Sequence, residues 1–221
     1  MDRVSSALEA LGWREDPAEA RRLERERHRR STVTWRLIGV DVGQRNDYTA
    51  LAVVDLTTDD VLTLTALERV RRRSYPAVAE LIRDTVTALA GGDAPTVLVD
   101  VTGVGRPVTD QLDRLHVPHE RVNIHGGSAV TKLDDGTRSV PKRDLISALV
   151  VGFEGGTLAI AGGLKHADAL EREADAFQMK LSASGHDTYN AREGEHDDLL
   201  LAVALPVWYA RTQGRATAWF P

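Results

Sequence analysis

Residues 35–55 read WRLIGVDVGQRNDYTALAVVD, and this stretch decides the fold. Its first seven residues form an apolar segment that ends in Asp41, and residues 48–55 form a second apolar segment. The glycine and the polar residues between them are typical of a turn, so the two segments predict neighbouring strands. Residues 61–70 predict a third strand. Because the three segments are close in sequence, an antiparallel meander is the simplest arrangement.

Helical and strand patterns alternate after residue 74. A helix at 75–90, a strand at 96–100, a helix at 107–115 and a strand at 121–125 predict parallel pairing through crossover helices. The remaining predictions are a loop at 126–140, a helix at 142–153, a strand at 157–161, a helix at 164–181, a short strand at 185–191 and an apolar helix at 196–210, which Pro206 should kink or interrupt. The pattern predicts an α/β fold with a mixed central sheet flanked by helices.

Composition excludes several classes of protein. The 221 residues include no cysteine, which rules out disulfides and Cys-ligated metal sites. No stretch of about 18 apolar residues and no secretory signal are present, so we expect a cytoplasmic protein without a membrane span. The net charge of −5 argues against a protein that coats nucleic acid through bulk positive charge.

The N-terminal residues differ from the rest of the chain. The run DPAEARRLERERHRRS at 16–31 is rich in arginine and glutamate and almost free of large apolar side chains. A helix that is polar on all sides is typical of a solvated arm, a linker or a partner-binding segment. The sequence therefore predicts a charged helical arm or linker at 1–33 and a globular domain at 34–221.

Acidic residues border the most apolar predicted elements. Asp41 ends LIGVD, Asp100 ends TVLVD, and Asp197 and Asp198 precede the helix LLLAVAL. If the strands of Asp41 and Asp100 are adjacent and parallel, the two acids lie about 5 Å apart and repel each other, which a divalent cation would relieve. All-oxygen ligands suit Mg²⁺ or Mn²⁺, and two such ions can hydrolyse a phosphodiester. Each acid could instead cap a turn or a helix start.

These motifs and their order resemble the nuclease domain of phage terminase large subunits, which has an RNase H-like fold. IGVDVGQRNDYTALAVVD is similar to the first nuclease motif of that family, VLVDVTGVGRPVTDQL to the second and HDDLLLAVAL to the third. The resemblance implies two Mg²⁺ or Mn²⁺ ions, a metal-dependent endonuclease activity on double-stranded DNA, and metal ligation by Asp41, Asp100 and one of Asp197 and Asp198. It also makes Asp47 a candidate to support the ligands. His196 could assist proton transfer or begin the helix.

Basic residues near the predicted site are candidates for contacts with DNA phosphates. They are Arg71, Arg72 and Arg73, which form a run with Arg69, and Lys132, Lys142 and Arg143; a solvated face is the alternative for each. The chain contains no phosphate-loop ATPase motif. The chain could therefore be a nuclease domain encoded separately or a remnant of a longer protein. The resemblance implies a packaging ATPase, which could be separate, a small terminase subunit and a portal as partners.

Three other functions are compatible with parts of the pattern. A structure-selective nuclease similar to Holliday-junction resolvases would share the fold, although the Asp47-Tyr48-Thr49-Ala50 segment argues against it. WRLIGVDVGQ also resembles the phosphate-binding hairpin of sugar kinases and actin-like proteins, which need two lobes and a longer chain. A non-catalytic phage assembly protein could retain the fold without the chemistry.

Overall fold

A computed structural model of the chain describes residues 32–43, 47–91, 93–184 and 197–213. Within these ranges the strands are β1 (Val33–Asp41), β2 (Tyr48–Thr57), β3 (Leu62–Arg71), β4 (Thr96–Asp100), β5 (Glu120–His125), β6 (Thr131–Lys132), β7 (Arg138–Pro141) and β8 (Leu158–Ile160). The helices are α1 (Tyr75–Leu89), α2 (Arg106–Arg114), α3 (Lys142–Glu154), α4 (Ala167–Ser184) and α5 (Asp198–Thr212).

The eight strands form one mixed sheet in the order β6-β7-β5-β4-β1-β2-β3-β8. Strands β1, β2 and β3 form the predicted antiparallel meander, and β4, β5 and β7 continue the sheet in parallel with β1. Two antiparallel pairings make β3 parallel to β1 as well. Six strands therefore run in one direction, since β8 also pairs in parallel with β3. The edge to which their carboxyl ends point is here named the carboxyl edge, and it contains Asp41, Arg71, Asp100, His125 and Pro141.

Alternation along the strands directs side chains into two separate cores. Leu37 of β1 and Leu98 of β4 pack into the larger core with α3, α4 and α5, whereas Val40 packs into the smaller core beneath α1 and α2. Residues two or four positions apart on a strand share a face. Asp41 and Asp100 therefore belong to the face of the sheet that α5 covers.

Helix α5 lies directly against the middle of β1 because Gly39 has no side chain. A Cβ atom at Gly39 would be 2.0 Å from the carbonyl oxygen of Ala202 and 2.5 Å from Cδ of Pro206. Pro206 lacks the N–H that would bond the Ala202 carbonyl, yet α5 continues through it to Thr212. Interruption of the helix, one of the two effects expected of Pro206, is therefore wrong. The close packing at Ala202 and Pro206 fixes the position of α5 relative to β1.

The prediction of a plain loop at 126–140 is wrong. The segment contains β6 and most of β7, which pair with each other in antiparallel fashion, and β7 also pairs in parallel with β5. The turn between them is made by Gly136 at φ +83° and by Asp135, whose side chain accepts a hydrogen bond from the Thr137 N–H. A two-residue strand among polar residues gives no recognisable alternation, which explains why the sequence did not reveal it.

Several predictions fall outside the described part of the chain. They are residues 1–31 of the predicted arm, the strand at 185–191 and His196. The division into an arm at 1–33 and a domain at 34–221 stays a prediction. Among the helices that the structure describes, none combines the length and the apolar character needed to cross a membrane.

Candidate metal centre

Asp41 and Asp100 lie on neighbouring strands at the carboxyl edge. In the pairing of β1 with β4 the last partners are Val40 and Val99, so each acid lies one residue beyond that pairing. Asp41 still pairs with Ala50 of β2, and Asp100 pairs with Val122 of β5. Asp100 is 7% exposed and Asp41 is partly buried. Since adjacent strands are about 5 Å apart, the fold holds the two carboxyl groups close together.

The start of α5 adds two further acids to this pair. Asp197 is the N-cap residue of α5 and Asp198 is its first helical residue. Both carboxylates act electrostatically on Asp41, and Asp197 also acts on Asp100. The four acids named by the sequence thus form one group, here called the acidic cluster (Asp41, Asp100, Asp197 and Asp198).

Lys142 contacts the acidic cluster directly. Its Nζ atom lies 2.5 Å from Oδ2 of Asp197, and the two side chains are only 14% and 24% exposed. Lys142 is the first residue of α3, immediately after β7 ends at the carboxyl edge. The sequence grouped Lys142 with exposed basic residues, whereas in the structure its ammonium is directed at the acids.

Arg69 supplies a second cation to the cluster. Its Nη2 atom lies 2.6 Å from Oδ2 of Asp198 and 3.3 Å from Oε1 of Glu173 on α4. All three side chains are at least 86% buried. Arg69 therefore differs from Arg71, Arg72 and Arg73, which follow it in sequence and are exposed.

Glu173 caps the start of α5 from a neighbouring helix. Its Oε2 atom accepts hydrogen bonds from the backbone N–H groups of Leu199 at 2.9 Å and Leu200 at 3.1 Å. Asp197 occupies the N-cap position as that alternative expects, but its side chain makes no capping hydrogen bond. Because Glu173 satisfies these N–H groups, the carboxylate of Asp197 is available to the cluster.

Asp100 has a local role in addition to its place in the cluster. Its Oδ1 atom accepts a hydrogen bond of 2.7 Å from the Thr102 N–H, two residues along the chain. The capping alternative therefore describes this side chain correctly. One carboxylate oxygen orders the turn after β4, and a carboxylate has further lone pairs for other partners.

Burial and mutual repulsion raise the pKa values of both strand acids. Burial is the largest cause of the pKa of Asp41 lying well above its ordinary value, followed by the charges of Asp100, Asp198 and Asp197. Burial likewise raises the pKa of Asp100 to about 6, against the opposing hydrogen bonds from Thr102 and the charge of Lys142. Repulsion of this kind indicates a site that gains from an added cation.

Glu173 is similarly perturbed, and burial is again the main cause. Its pKa rises to about 7, although the Leu200 and Leu199 N–H groups and the Arg69 charge oppose the rise. Glu173 and the acidic cluster together place five carboxylates beside two cations, Arg69 and Lys142.

These pKa values predict an unusual pH dependence of stability. In metal-free buffer, lowering the pH from 8 to 5 should raise the free energy of unfolding by about 2 to 3 kcal/mol, after allowance for solvent screening at Glu173. The pKa values of Asp100 and Glu173 are higher folded than unfolded. Their contribution is therefore complete below pH ~4 and is lost as the pH rises through 6 and 7.

Urea unfolding at pH 5, 6, 7 and 8 in EDTA measures this effect. The Asp100→Asn variant should show a smaller rise, since Asn carries no titrating proton. A free energy of unfolding that falls steadily from pH 8 to pH 5 in the wild-type chain would contradict the prediction.

The donor chemistry of the cluster fits a hard divalent ion, since carboxylate oxygens are the ligands that Mg²⁺ and Mn²⁺ prefer. Within the described ranges, however, no three His, Asp or Glu side chains are already positioned to hold one ion. Asp197 is paired with Lys142 and Asp198 with Arg69. The site therefore has suitable ligands and excess negative charge, but two of its carboxylates are bound to internal cations.

The other predicted site residues lie around the cluster rather than in it. Asp47 is exposed one residue before β2, and Lys132 is exposed on β6. Arg71 stacks on the Tyr48 ring with its guanidinium carbon 5.1 Å from the centroid. Arg143 pairs with Asp144 at 3.3 Å and donates to the Ser128 carbonyl.

Sequence reasoning did not identify Glu173, although a signal for it exists. Leu170, Glu173 and Phe177 follow helical spacing and are all buried on α4. A glutamate on the apolar stripe of a helix indicates a buried acid that needs partners.

Comparison with known proteins identifies the family of the chain. A sequence model of the Terminase RNaseH-like domain family matches residues 38–205. The large terminase subunit of Thermus virus P23-45 is 26% identical over 178 residues, which are 80% of this chain and 32% of the relative, and that of Thermus phage G20c gives the same values. The chain thus spans about a third of the length of these curated relatives.

Solved structures show the same fold. The large terminase nuclease of the thermophilic phage G20c, crystallised with bound magnesium, has a TM-score of 0.57 at 22% identity, over 78% of this chain and 80% of that one. A second crystal structure of the same nuclease has a TM-score of 0.53 at 22% identity, over 77% of this chain and 80% of that one. The mixed sheet is therefore the predicted RNase H-like fold. From its sequence, the chain belongs to the Terminase RNaseH-like domain family.

Proposed function

We propose that the domain is a metal-dependent endonuclease that cuts double-stranded DNA during viral genome packaging. The observation that carries this proposal is the gathering of four carboxylates from β1, β4 and the start of α5 at one edge of the sheet. Membership of the terminase family supports the choice of DNA as substrate.

The residues that would hold divalent ions are Asp41, Asp100 and either or both of Asp197 and Asp198. Mg²⁺ or Mn²⁺ bound there, as two ions, would acidify an attacking water and stabilise the charge that develops on the phosphodiester. The chain itself contributes rigidity. Asp41 is held by its pairing with β2 and Asp100 by its pairing with β5, and Glu173 holds the first turn of α5 through two backbone hydrogen bonds.

Basic residues around the carboxyl edge would bind the DNA backbone. Arg71, Arg72 and Arg73 are exposed at the end of β3, on the same edge as Asp41. Lys132 is exposed on β6, and Arg143 lies one residue after Lys142 in the first turn of α3. Phosphate contacts of this kind position a duplex without reading its sequence, which suits a cut of low sequence preference. Asp47 would support the turn between β1 and β2.

The partners follow from the family rather than from the site. The curated relatives are large terminase subunits about three times the length of the matched region. We propose that a packaging ATPase, a small terminase subunit and a portal determine when and where this nuclease cuts. Control by partners would compensate for the net charge of −5, which disfavours binding to DNA through bulk positive charge.

A substrate comparison tests the proposed function. The chain is incubated with supercoiled plasmid, linear duplex and a four-way junction, each in Mn²⁺, in Mg²⁺ and in EDTA. We expect metal-dependent cleavage of plasmid and linear duplex, and none in EDTA. Exclusive cutting of the junction would favour a resolvase, and nucleotide binding without any cleavage would favour the kinase or actin-like alternative.

A further inference from the structure

We propose that Lys142 is an internal substitute for a divalent ion, and that its ammonium must leave Asp197 before that carboxylate can bind a metal. The inference rests on the proposed function, because it concerns how the same acidic cluster accepts its ion. It assigns to Lys142 the role of a positioning residue that sets metal affinity.

The contact between Lys142 and Asp197 is close and shielded. The Lys142 Nζ and Asp197 Oδ2 atoms are 2.5 Å apart, and the two side chains are 14% and 24% exposed. In the pair of Lys165 with Glu68, by contrast, the side chains are 64% and 43% exposed. A shielded pair is screened less by water and salt than an exposed one. Breaking it therefore costs free energy that a binding metal must supply.

The position of Lys142 is explained by the acids rather than by its own helix. It is the first residue of α3, where the helix dipole disfavours a positive charge. It also directly follows the end of β7, and so lies at the carboxyl edge beside the acidic cluster. The attraction of the cluster offsets the unfavourable dipole and keeps the ammonium at this point.

Metal and ammonium compete for the same oxygens. A divalent ion on Asp197 would lie about 2 Å from a carboxylate oxygen, hence within a few ångströms of the ammonium, and the two cations would repel. No three acids or histidines in the described ranges are set to hold an ion while Asp197 faces Lys142 and Asp198 faces Arg69. Release of Lys142 would free one of these carboxylates.

Manganese titration of the metal-free chain at pH 8 tests the inference by calorimetry, with no need for DNA or activity. The Lys142→Met variant removes the ammonium and keeps an unbranched side chain. We expect it to bind Mn²⁺ about tenfold more tightly than the wild type, and to melt about 3 °C lower in EDTA because the acids lose a cation. Lys142→Arg, which keeps the charge, should bind Mn²⁺ like the wild type.

Lys165→Met is the matched control, since it makes the same substitution in an ion pair outside the cluster. It should leave the affinity for Mn²⁺ unchanged. An equal or weaker affinity in Lys142→Met would overturn the inference while leaving the nuclease proposal intact. A wild-type chain that binds no Mn²⁺ would overturn both. Should Lys142→Met fail to fold, a structure of the wild-type chain with Mn²⁺ decides: an intact Lys142–Asp197 contact beside a metal bound by Asp197 would overturn the inference.

Discussion

Replacing Asp41 with Asn should abolish metal-dependent nicking of plasmid DNA while the metal-free chain stays folded. The amide keeps the shape of the side chain but cannot offer two anionic oxygens to a divalent ion. Loss of residues that only support metal ligands reduces activity by about 10- to 100-fold, so loss of a ligand should exceed about 100-fold. The nicking rate of supercoiled plasmid in Mn²⁺ measures the effect.

Stability separates this result from simple unfolding. Because Asp41 is partly buried and repelled by three other acids, the Asn variant should be as stable as the wild type in EDTA, or more so. It should also gain less stability than the wild type when Mn²⁺ is added. Asp93→Asn, an exposed acid on the loop before β4, is the control and should behave like the wild type. Full nicking activity in Asp41→Asn would remove the proposed chemistry.

Replacing Glu173 with Ala should lower the free energy of unfolding by about 3 to 5 kcal/mol, which is a larger loss than we expect for the Asp41 or Lys142 variants. The change leaves two N–H groups at the start of α5 without their acceptor and removes a carboxylate partner of the buried Arg69. Urea unfolding at pH 8 measures the loss. Nicking should also fall, because Asp197 and Asp198 depend on the same turn of α5 for their positions.

Glu171→Ala is the matched control for this variant. Glu171 lies two residues earlier on α4 and is exposed, so its loss should change the free energy of unfolding by less than about 0.5 kcal/mol. Equal stability of the Glu173 and Glu171 variants would mean that Glu173 does not hold α5. A Glu173→Ala chain that is stable and nicks plasmid at the normal rate would show that the acidic cluster does not depend on the capping contact.

The sequence could reveal the four acids because each one borders an apolar segment. Asp41 and Asp100 end two strands, and alternation from Leu37 and Leu98 places both on one face. Carboxylates are costly at such positions unless they find a cation, a donor or solvent. Local pattern and general electrostatics thus sufficed to name four residues that the fold brings together.

The partners of these acids were less accessible, because they depend on tertiary contacts. Arg69 reads as part of an exposed basic run, yet the sheet places it 2.6 Å from Asp198, 129 residues away in the chain. From the sequence alone, Lys142 resembles an ordinary surface cation. Its position depends on β7, a strand that the polar sequence of residues 126–140 does not reveal. Charges in loops and at helix starts carry little periodicity, so their pairing becomes visible only with the fold.

Manganese anomalous diffraction from crystals of the full chain shows whether acids that are distant in sequence bind divalent ions together. We expect anomalous peaks at the carboxyl edge, with Asp41, Asp100 and at least one of Asp197 and Asp198 as ligands. Mn²⁺ bound elsewhere on the surface, with Asp41 and Asp100 coordinating nothing at saturating metal, would contradict the account.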